Sequence, residues 1–236
     1  MSQRRWAITH VQGRAGQLHA EAADLLRGPG PAQRGVRAVE LTVPAVVLGS
    51  SQPGTHVDER AARAAGVDVA RRRSGGAAVL VDGALVWVDL VIPAADPAWS
   101  DDVGRAAWWV GEAWCGALGA LGVVGAEVWR GPMRRPPWAQ WVCFAGLGPG
   151  EVMVAGRKVV GVAQRRNRLG ALFQCAVLLD WDPAALLGVL RLDDAERRRA
   201  AAALAGVATG LGRRVGPEAL LDALVFQLER AGAAGP

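Results

Sequence analysis

The chain has 236 residues, is 51% apolar, and carries a formal net charge of +5 with a pI near 10.3; it can bury a substantial core as one large domain or two small ones and should attract acidic partners, nucleic acid and acidic protein domains alike. No run of about 18 uncharged apolar residues occurs, which predicts no membrane-spanning helix, and the start Met1-Ser2-Gln3-Arg4-Arg5-Trp6 lacks the apolar stretch of a signal peptide. Cys115, Cys143 and Cys175 are too few and too scattered for a disulfide framework, and His10, His19 and His56 lie too far from them for a zinc motif, so a cytoplasmic protein with reduced thiols and no metal site is expected.

Along the chain, residues 19–27 read as a short helix ended by Gly28-Pro29-Gly30-Pro31. Residues 37–49, rich in valine and leucine, form two extended pieces around Pro44. A helix over 58–65 ends at Gly66, and strands over 67–70 and 77–81 flank the loop Arg71–Gly76. The apolar run Leu85-Val86-Trp87-Val88 marks 84–92 as a strand covered on both faces. The periodicity predicts a helix over 101–122, with Asp101 and Asp102 favouring its N-terminus and Trp108, Trp109 and Trp114 packed in the core. Residues 131–141 form a loop around Pro132, Pro136 and Pro137. Gly146-Leu147-Gly148-Pro149-Gly150 reads as a flexible connection, since Pro149 removes an N–H and no helix follows to make a dinucleotide site. A hairpin over 151–155 and 157–165 turns at Gly156, a strand covers 173–179, and helices cover 183–190, 195–205 and 217–230. Interleaved strands, hairpins and helices predict an α+β fold with a mixed sheet flanked by helices. A seam near Leu192 separates a main domain, 1–192, from an arginine- and alanine-rich helical C-terminal tail, 193–236.

Lys158 is the only lysine among the 27 basic residues. Arginine is planar, bulky and permanently charged, whereas lysine is a compact, rotatable point charge; a position that keeps lysine in such a chain needs that compact donor. Period-two alternation puts Lys158, Val160, Val162 and Gln164 on one strand face and Val159, Gly161 and Ala163 on the other, where the small side chains admit a close approach. The segment Ala70-Arg71-Arg72-Arg73-Ser74-Gly75-Gly76-Ala77-Ala78-Val79 sets two glycines after three arginines between strands, a loop whose amides and charges suit an anionic or carbonyl-bearing ligand. It is not a P-loop, because no Gly-Lys-Ser/Thr follows. Cys143 lies 15 residues before Lys158, and a thiol beside an ammonium carries more thiolate at neutral pH.

Three stretches carry a family resemblance. Arg71-Arg72-Arg73-Ser74-Gly75-Gly76-Ala77-Ala78-Val79 is similar to an RRxSGGGAV loop, with Ala77 at the third glycine. Gly156-Arg157-Lys158-Val159-Val160-Gly161-Val162-Ala163-Gln164-Arg165-Arg166 is similar to a GRKxxGxAxxR segment, and Val47-Leu48-Gly49-Ser50-Ser51-Gln52-Pro53 to VVIGRxQNP. In this order and spacing, over residues 6–190, they resemble the lipoate-protein ligase and octanoyltransferase family of the biotin/lipoate ligase superfamily. The resemblance implies an α+β catalytic domain with a mixed, largely antiparallel sheet. It implies an acyl ligand held by Arg72, Ser74, Gly75, Gly76, Ala77, Ala78, Gly161, Val162 and Ala163, with Lys158 catalytic.

Two chemistries share that fold. Ligases use ATP and Mg2+ to make lipoyl-adenylate and then acylate a lysine of a lipoyl domain. Octanoyltransferases need no cofactor: they take the acyl group from acyl carrier protein onto a cysteine and pass it to a lipoyl-domain or glycine-cleavage H-type acceptor. The spacing of Cys143 and Lys158 resembles one octanoyltransferase type, and the chain beyond residue 190 is short for the ligases' accessory domain. Both favour the transferase, with Cys143 as nucleophile and Lys158 favouring its thiolate and stabilising the oxyanion. The chain departs from the family in having Val81 where histidine is common, Phe173-Gln174-Cys175 where relatives carry His-Gly, and no Asn-Asp near Cys143. A nucleic-acid-binding role is the remote alternative, since no helix-turn-helix or aromatic RNA motif is present.

Overall fold

Strands of alternating and continuous apolar character build two sheets in the computed structural model, which describes residues 5–212 and 215–233. In chain order the strands of the large sheet are β1 (Ala7–Gly13), β2 (Gly35–Leu41), β6 (Leu85–Pro93), β7 (Ala126–Val128), β8 (Val152–Val154), β9 (Arg157–Asn167) and β10 (Gly170–Leu178). They lie in the order β1-β2-β6-β10-β9-β8-β7, antiparallel throughout except β1 with β2. A small sheet sets β3 (Ala45–Leu48) between β4 (Asp68–Arg71), parallel to it, and β5 (Val79–Val81), antiparallel. The helices are α1 (Ala15–Asp24), α2 (Glu59–Ala64), α3 (Trp108–Ala120), α4 (Pro183–Val189), α5 (Asp194–Leu204) and α6 (Pro217–Ala233). The α+β class and the mixed, largely antiparallel sheet are as expected.

Alternation along β6 and β10 decides what each face of the large sheet meets. Val88, Leu90, Ile92, Phe173, Cys175 and Val177 point to one face, into a core with Trp114 and Leu118 of α3 and Leu220, Leu224 and Leu228 of α6. Each buried α6 leucine contributes about 1.5–3 kcal/mol, so this part of the region beyond Leu192 is packed into the main core. On the opposite face Leu85, Trp87 and Leu178 meet Leu18 of α1 and Val47 and Val81 of the small sheet. The space between the two sheets, on that second face, holds the site.

Three local differences from expectation have physical causes. Strands β1 and β7 carry no strong period-two signal and are recruited by pairing with β2 and β8. Helix α3 begins at Trp108, not Asp101, because the Asp102 side chain accepts a bond from the Gly104 amide at 2.8 Å and its carbonyl closes a turn with Arg105 and Ala106. The Gly146–Gly150 connection is pinned: the Gly148 amide donates to Glu151 Oε2 at 2.7 Å, and the Gly150 amide to Trp129 O at 2.8 Å. Among the described residues no helix is long and apolar enough to cross a membrane. The expectations for Met1–Arg4 and for the last three residues of the 193–236 tail lie outside the described residues.

Candidate active site

Lys158 reaches the site because β9 is irregular. Val152 of β8 faces Val160, but Met153 faces Lys158, so Val159 is an extra residue on β9. Such a bulge reverses the alternation at one point. Val159 and Val160 both enter the core beneath α3, while Lys158 turns to the face that carries Gly161: a Cβ added to Gly161 would stand 3.4 Å from Lys158 Cε and 3.5 Å from Phe144 Cζ. The expected face assignment is corrected here. Lys158 shares a face with Gly161 and not with Val160.

The ammonium is 4% exposed and fully engaged. It donates to the carbonyls of Cys143 (3.2 Å) and Gly146 (3.0 Å) and pairs with Glu151 Oε1 at 2.7 Å, above the Phe144 ring. An ammonium has three N–H donors, and three acceptors take them. Lys158 and Cys143 are thus brought together, through the cysteine carbonyl and not through its sulfur.

Cys143 opens a short 3-10 turn, Cys143–Ala145. Its amide donates to Ala78 O at 2.8 Å and the Ala78 amide donates to Trp141 O at 3.2 Å, so the chain after the glycine loop and the chain before the cysteine run side by side. Ala78, one of the residues expected at the ligand, is fully buried and its backbone holds that of the cysteine. Gln52 supports the same segment, its amide nitrogen 3.3 Å from the carbonyls of Gln140 and Trp141, while His56 stacks on Trp141.

The glycine loop is threaded around Arg72. The guanidinium, on a residue 4% exposed, donates to Gly75 O from Nε (3.1 Å) and Nη2 (2.9 Å), to Val47 O (3.2 Å) and to Ala77 O (3.0 Å). Its Nη2 also stands 3.9 Å from Cys143 Sγ. Gly76 adopts φ +101°, and a Cβ on Gly49 would lie 1.8 Å from Gly76 O; the two backbones meet at a distance only glycine permits. Among the described residues, the amides of Gly75, Gly76 and Ala77 meet no protein acceptor.

Ser74 leads to a buried polar network that sequence reasoning missed. Its hydroxyl donates to Gln174 Oε1 at 2.8 Å, and Gln174 Nε2 lies 3.1 Å from His19 Nδ1 and 3.3 Å from Asp89 Oδ1. Only an NH2 group fits beside a carboxylate, so Gln174 donates toward both, His19 Nδ1 accepts, and the imidazole proton sits on Nε2. Burial, then the fields of Arg72 and Arg37, push His19 down to about 3. Burial pushes Asp89 up to about 6, against bonds from Trp87 and Gln174 and the Arg37 ion pair at 2.9 Å. The available signal was Asp89, a lone carboxylate inside an apolar strand.

These residues border two connected spaces. An almost wholly apolar cavity lies between the sheets, lined by Val47, Val79, Val81, Leu85, Trp87 and Ala176 and bordered by His19, Arg72 and Gln174. A wider cleft of mixed polarity runs along Gly75, Gly76, Ala77, the 133–140 loop, Glu151 and Lys158. Cys143, Val162 and Ala163 line both, so the cysteine stands at the throat. Trp138, in the loop walling the cleft, holds a left-handed φ of 73°, strain of a kind that persists where surroundings enforce it. Of the expected site residues, Arg72, Cys143, Gly161, Val162 and Ala163 border the cavity, and Gly75, Gly76, Ala77 and Lys158 the cleft.

The sequence profile of the lipoyl protein ligase A/B catalytic domain matches residues 25–229. Octanoyltransferase LipM of Kyrpidia tusciae is 34% identical over 142 residues, 58% of this chain and 51% of its own length. Octanoyltransferase LipM of Clostridioides difficile is 25% identical over 169 residues, 71% of this chain and 62% of its own length. The aligned part of this chain therefore spans about half to three fifths of those relatives. In structure, a chain of the bipartite lipoate protein ligase system from Thermoplasma acidophilum superposes with a TM-score of 0.73 at 18% identity, over 96% of this chain and 83% of that one. Identity that low speaks for the fold alone.

Proposed function

Because the chain belongs to the lipoyl protein ligase A/B catalytic-domain family, we propose that it moves an octanoyl or lipoyl group from an acyl carrier protein to a lysine of a lipoyl-domain or glycine-cleavage H-type acceptor, through a thioester on Cys143. The observation that carries this reading is the position of Cys143 where the almost wholly apolar cavity meets the wider cleft of mixed polarity. An acyl chain lies in the first and its carbonyl reaches the sulfur, while each protein partner presents its reactive arm through the second.

The chemistry is balanced without a cofactor. Cys143 gives up its thiol proton, and its sulfur attacks the acyl carbonyl of the donor thioester. The donor's C–S bond breaks, the donor leaves as a thiol carrying one proton, and Cys143 holds the acyl group. An acceptor lysine amine then attacks the same carbonyl, an amide forms, and Cys143 leaves with the proton shed by the amine. The free amides of Gly75, Gly76 and Ala77 supply donors for the oxyanion. Lys158 fixes the turn that carries Cys143. A cytoplasmic setting keeps such a thiol reduced.

Intact mass measurement tests the proposal. Incubation with octanoyl-carrier protein is expected to add one octanoyl mass that hydroxylamine removes. Cys143→Ser loses the adduct or holds it as a more stable ester, and Cys115→Ala and Cys175→Ala still form it. An adduct that persists in Cys143→Ala overturns the thioester, and full activity of that variant with free lipoate, ATP and Mg2+ replaces the transferase by a ligase.

A further inference from the structure

Two cations stand near Cys143, and they differ in what neutralises them. Lys158 is paired at 2.7 Å with Glu151, itself nearly buried, and has no donor left over. Arg72 is equally buried, yet its partners are carbonyls: Val47 O, Gly75 O and Ala77 O. Carbonyls satisfy N–H groups but cancel no charge, and a buried charge without a counter-ion is costly. Among the described residues no carboxylate pairs with this guanidinium, and the one polarisable group it faces is Cys143 Sγ, 3.9 Å from Nη2.

Gly76 keeps that approach open. A Cβ there would stand 2.6 Å from Arg72 Nη2 and 3.6 Å from Cys143 Sγ, filling the space between them. The other titratable groups around the sulfur add no competing charge. His19 on α1 is neutral above a pH of about 3, Cys175 on β10 is pushed up to about 12 by burial, Glu151 and Lys158 neutralise each other, and Asp89 is paired with Arg37.

We infer that Arg72, and not Lys158, is the cation that holds Cys143 as a thiolate. Resting on the thioester reading, this makes Arg72 a catalytic residue that touches the attacking atom, with the thiol proton released to solvent and returned to the leaving thiol. Lys158 is a positioning residue, acting through the Cys143 and Gly146 carbonyls.

Alkylation by iodoacetamide, followed by mass on the full chain, tests the assignment without any acyl donor. Burial pushes Cys115 to about 11 and Cys175 to about 12, so Cys143 dominates the signal at pH 7. Arg72→Gln is expected to slow modification about tenfold or more at pH 7, because the thiolate is the nucleophile. Its rate should converge on wild type at high pH, which a merely distorted loop would not produce. Lys158→Met combined with Glu151→Gln, which removes the neutral pair together and leaves no uncompensated carboxylate beside the sulfur, is expected to stay within about threefold of wild type at pH 7. An Arg72→Gln rate equal to wild type at pH 7, or a tenfold loss in the double variant that is recovered at high pH, overturns the inference. Should Arg72→Gln fail to fold by circular dichroism, the double-variant arm decides alone. Arg72-dependent alkylation without any acyl adduct on Cys143 would sink the transferase reading and leave this one standing; the reverse pattern would do the opposite.

Discussion

His19 shows how one side chain couples the site to stability. Held neutral and pushed down to about 3, it binds a proton in the unfolded chain alone between that pH and its ordinary 6.5. The stability linked to it is complete above pH 6.5 and lost as pH falls. Asp89, pushed up to about 6, runs the other way: its folded form holds the proton more tightly, so its contribution falls as pH rises from about 4 to 6. The two largely cancel in that window. His19→Gln is expected to be less stable than wild type at pH 7, where the Trp87 stack is lost. By chemical denaturation that gap should shrink by about 2 kcal/mol at pH 5, at about 1.4 kcal/mol per pH unit below 6.5; a gap of constant size would mean that His19 titrates as it does in water. Some of the site was legible at this scale. A solitary lysine 15 residues after a cysteine pointed at two residues that the fold brings together, the lysine ammonium on the cysteine's backbone carbonyl. Gln174, His19 and Asp89 were not legible, because their contacts join residues 85 and 155 positions apart and no local pattern announces them.

At the scale of elements, turn chemistry was readable and strand register was not. The Ala155-Gly156 turn between β8 and β9 has φ of 50° and 72°, the two positive values of a two-residue type I′ hairpin. Glycine adopts that conformation freely, but alanine there bears a cost of about 1–2 kcal/mol, which asparagine relieves by local hydrogen bonding. Ala155→Asn is therefore expected to stabilise the fold by about 0.5–1 kcal/mol, raising Tm by about 1–4 °C. A lower Tm in calorimetry would show that the turn is not strained. The bulge at Val159 had no such signature: a valine inside a valine-rich strand looks like any other. Yet that one residue sends Lys158 toward Cys143 and away from the core under α3. The start of α3 failed for a related reason, since acidic residues at 101 and 102 serve a turn as readily as a helix N-terminus.

Taken whole, the molecule is a basic body with its cleft walled in part by exposed arginines, Arg134 and Arg135. A net charge of +5 should steer acidic partners and raise their on-rate, and exposed charges beyond a Debye length of about 8 Å at physiological salt are screened. Raising salt to about 0.5 M is expected to raise the KM for a carrier-bound acyl donor several-fold while leaving a small thioester such as octanoyl-pantetheine nearly unaffected. Equal sensitivity of both donors would detach the basic surface from carrier binding. That surface is made of guanidinium almost alone: 26 of the 27 basic residues are arginine, and the single lysine is 4% exposed with every donor engaged. A protein that stores an activated acyl group meant for amines meets its own amines first. Guanidinium stays protonated at any working pH and makes a poor nucleophile, so under the proposed chemistry the stored thioester faces a surface that cannot discharge it by self-acylation. Selectivity for the acceptor then begins with the scarcity of side-chain amines on the enzyme itself.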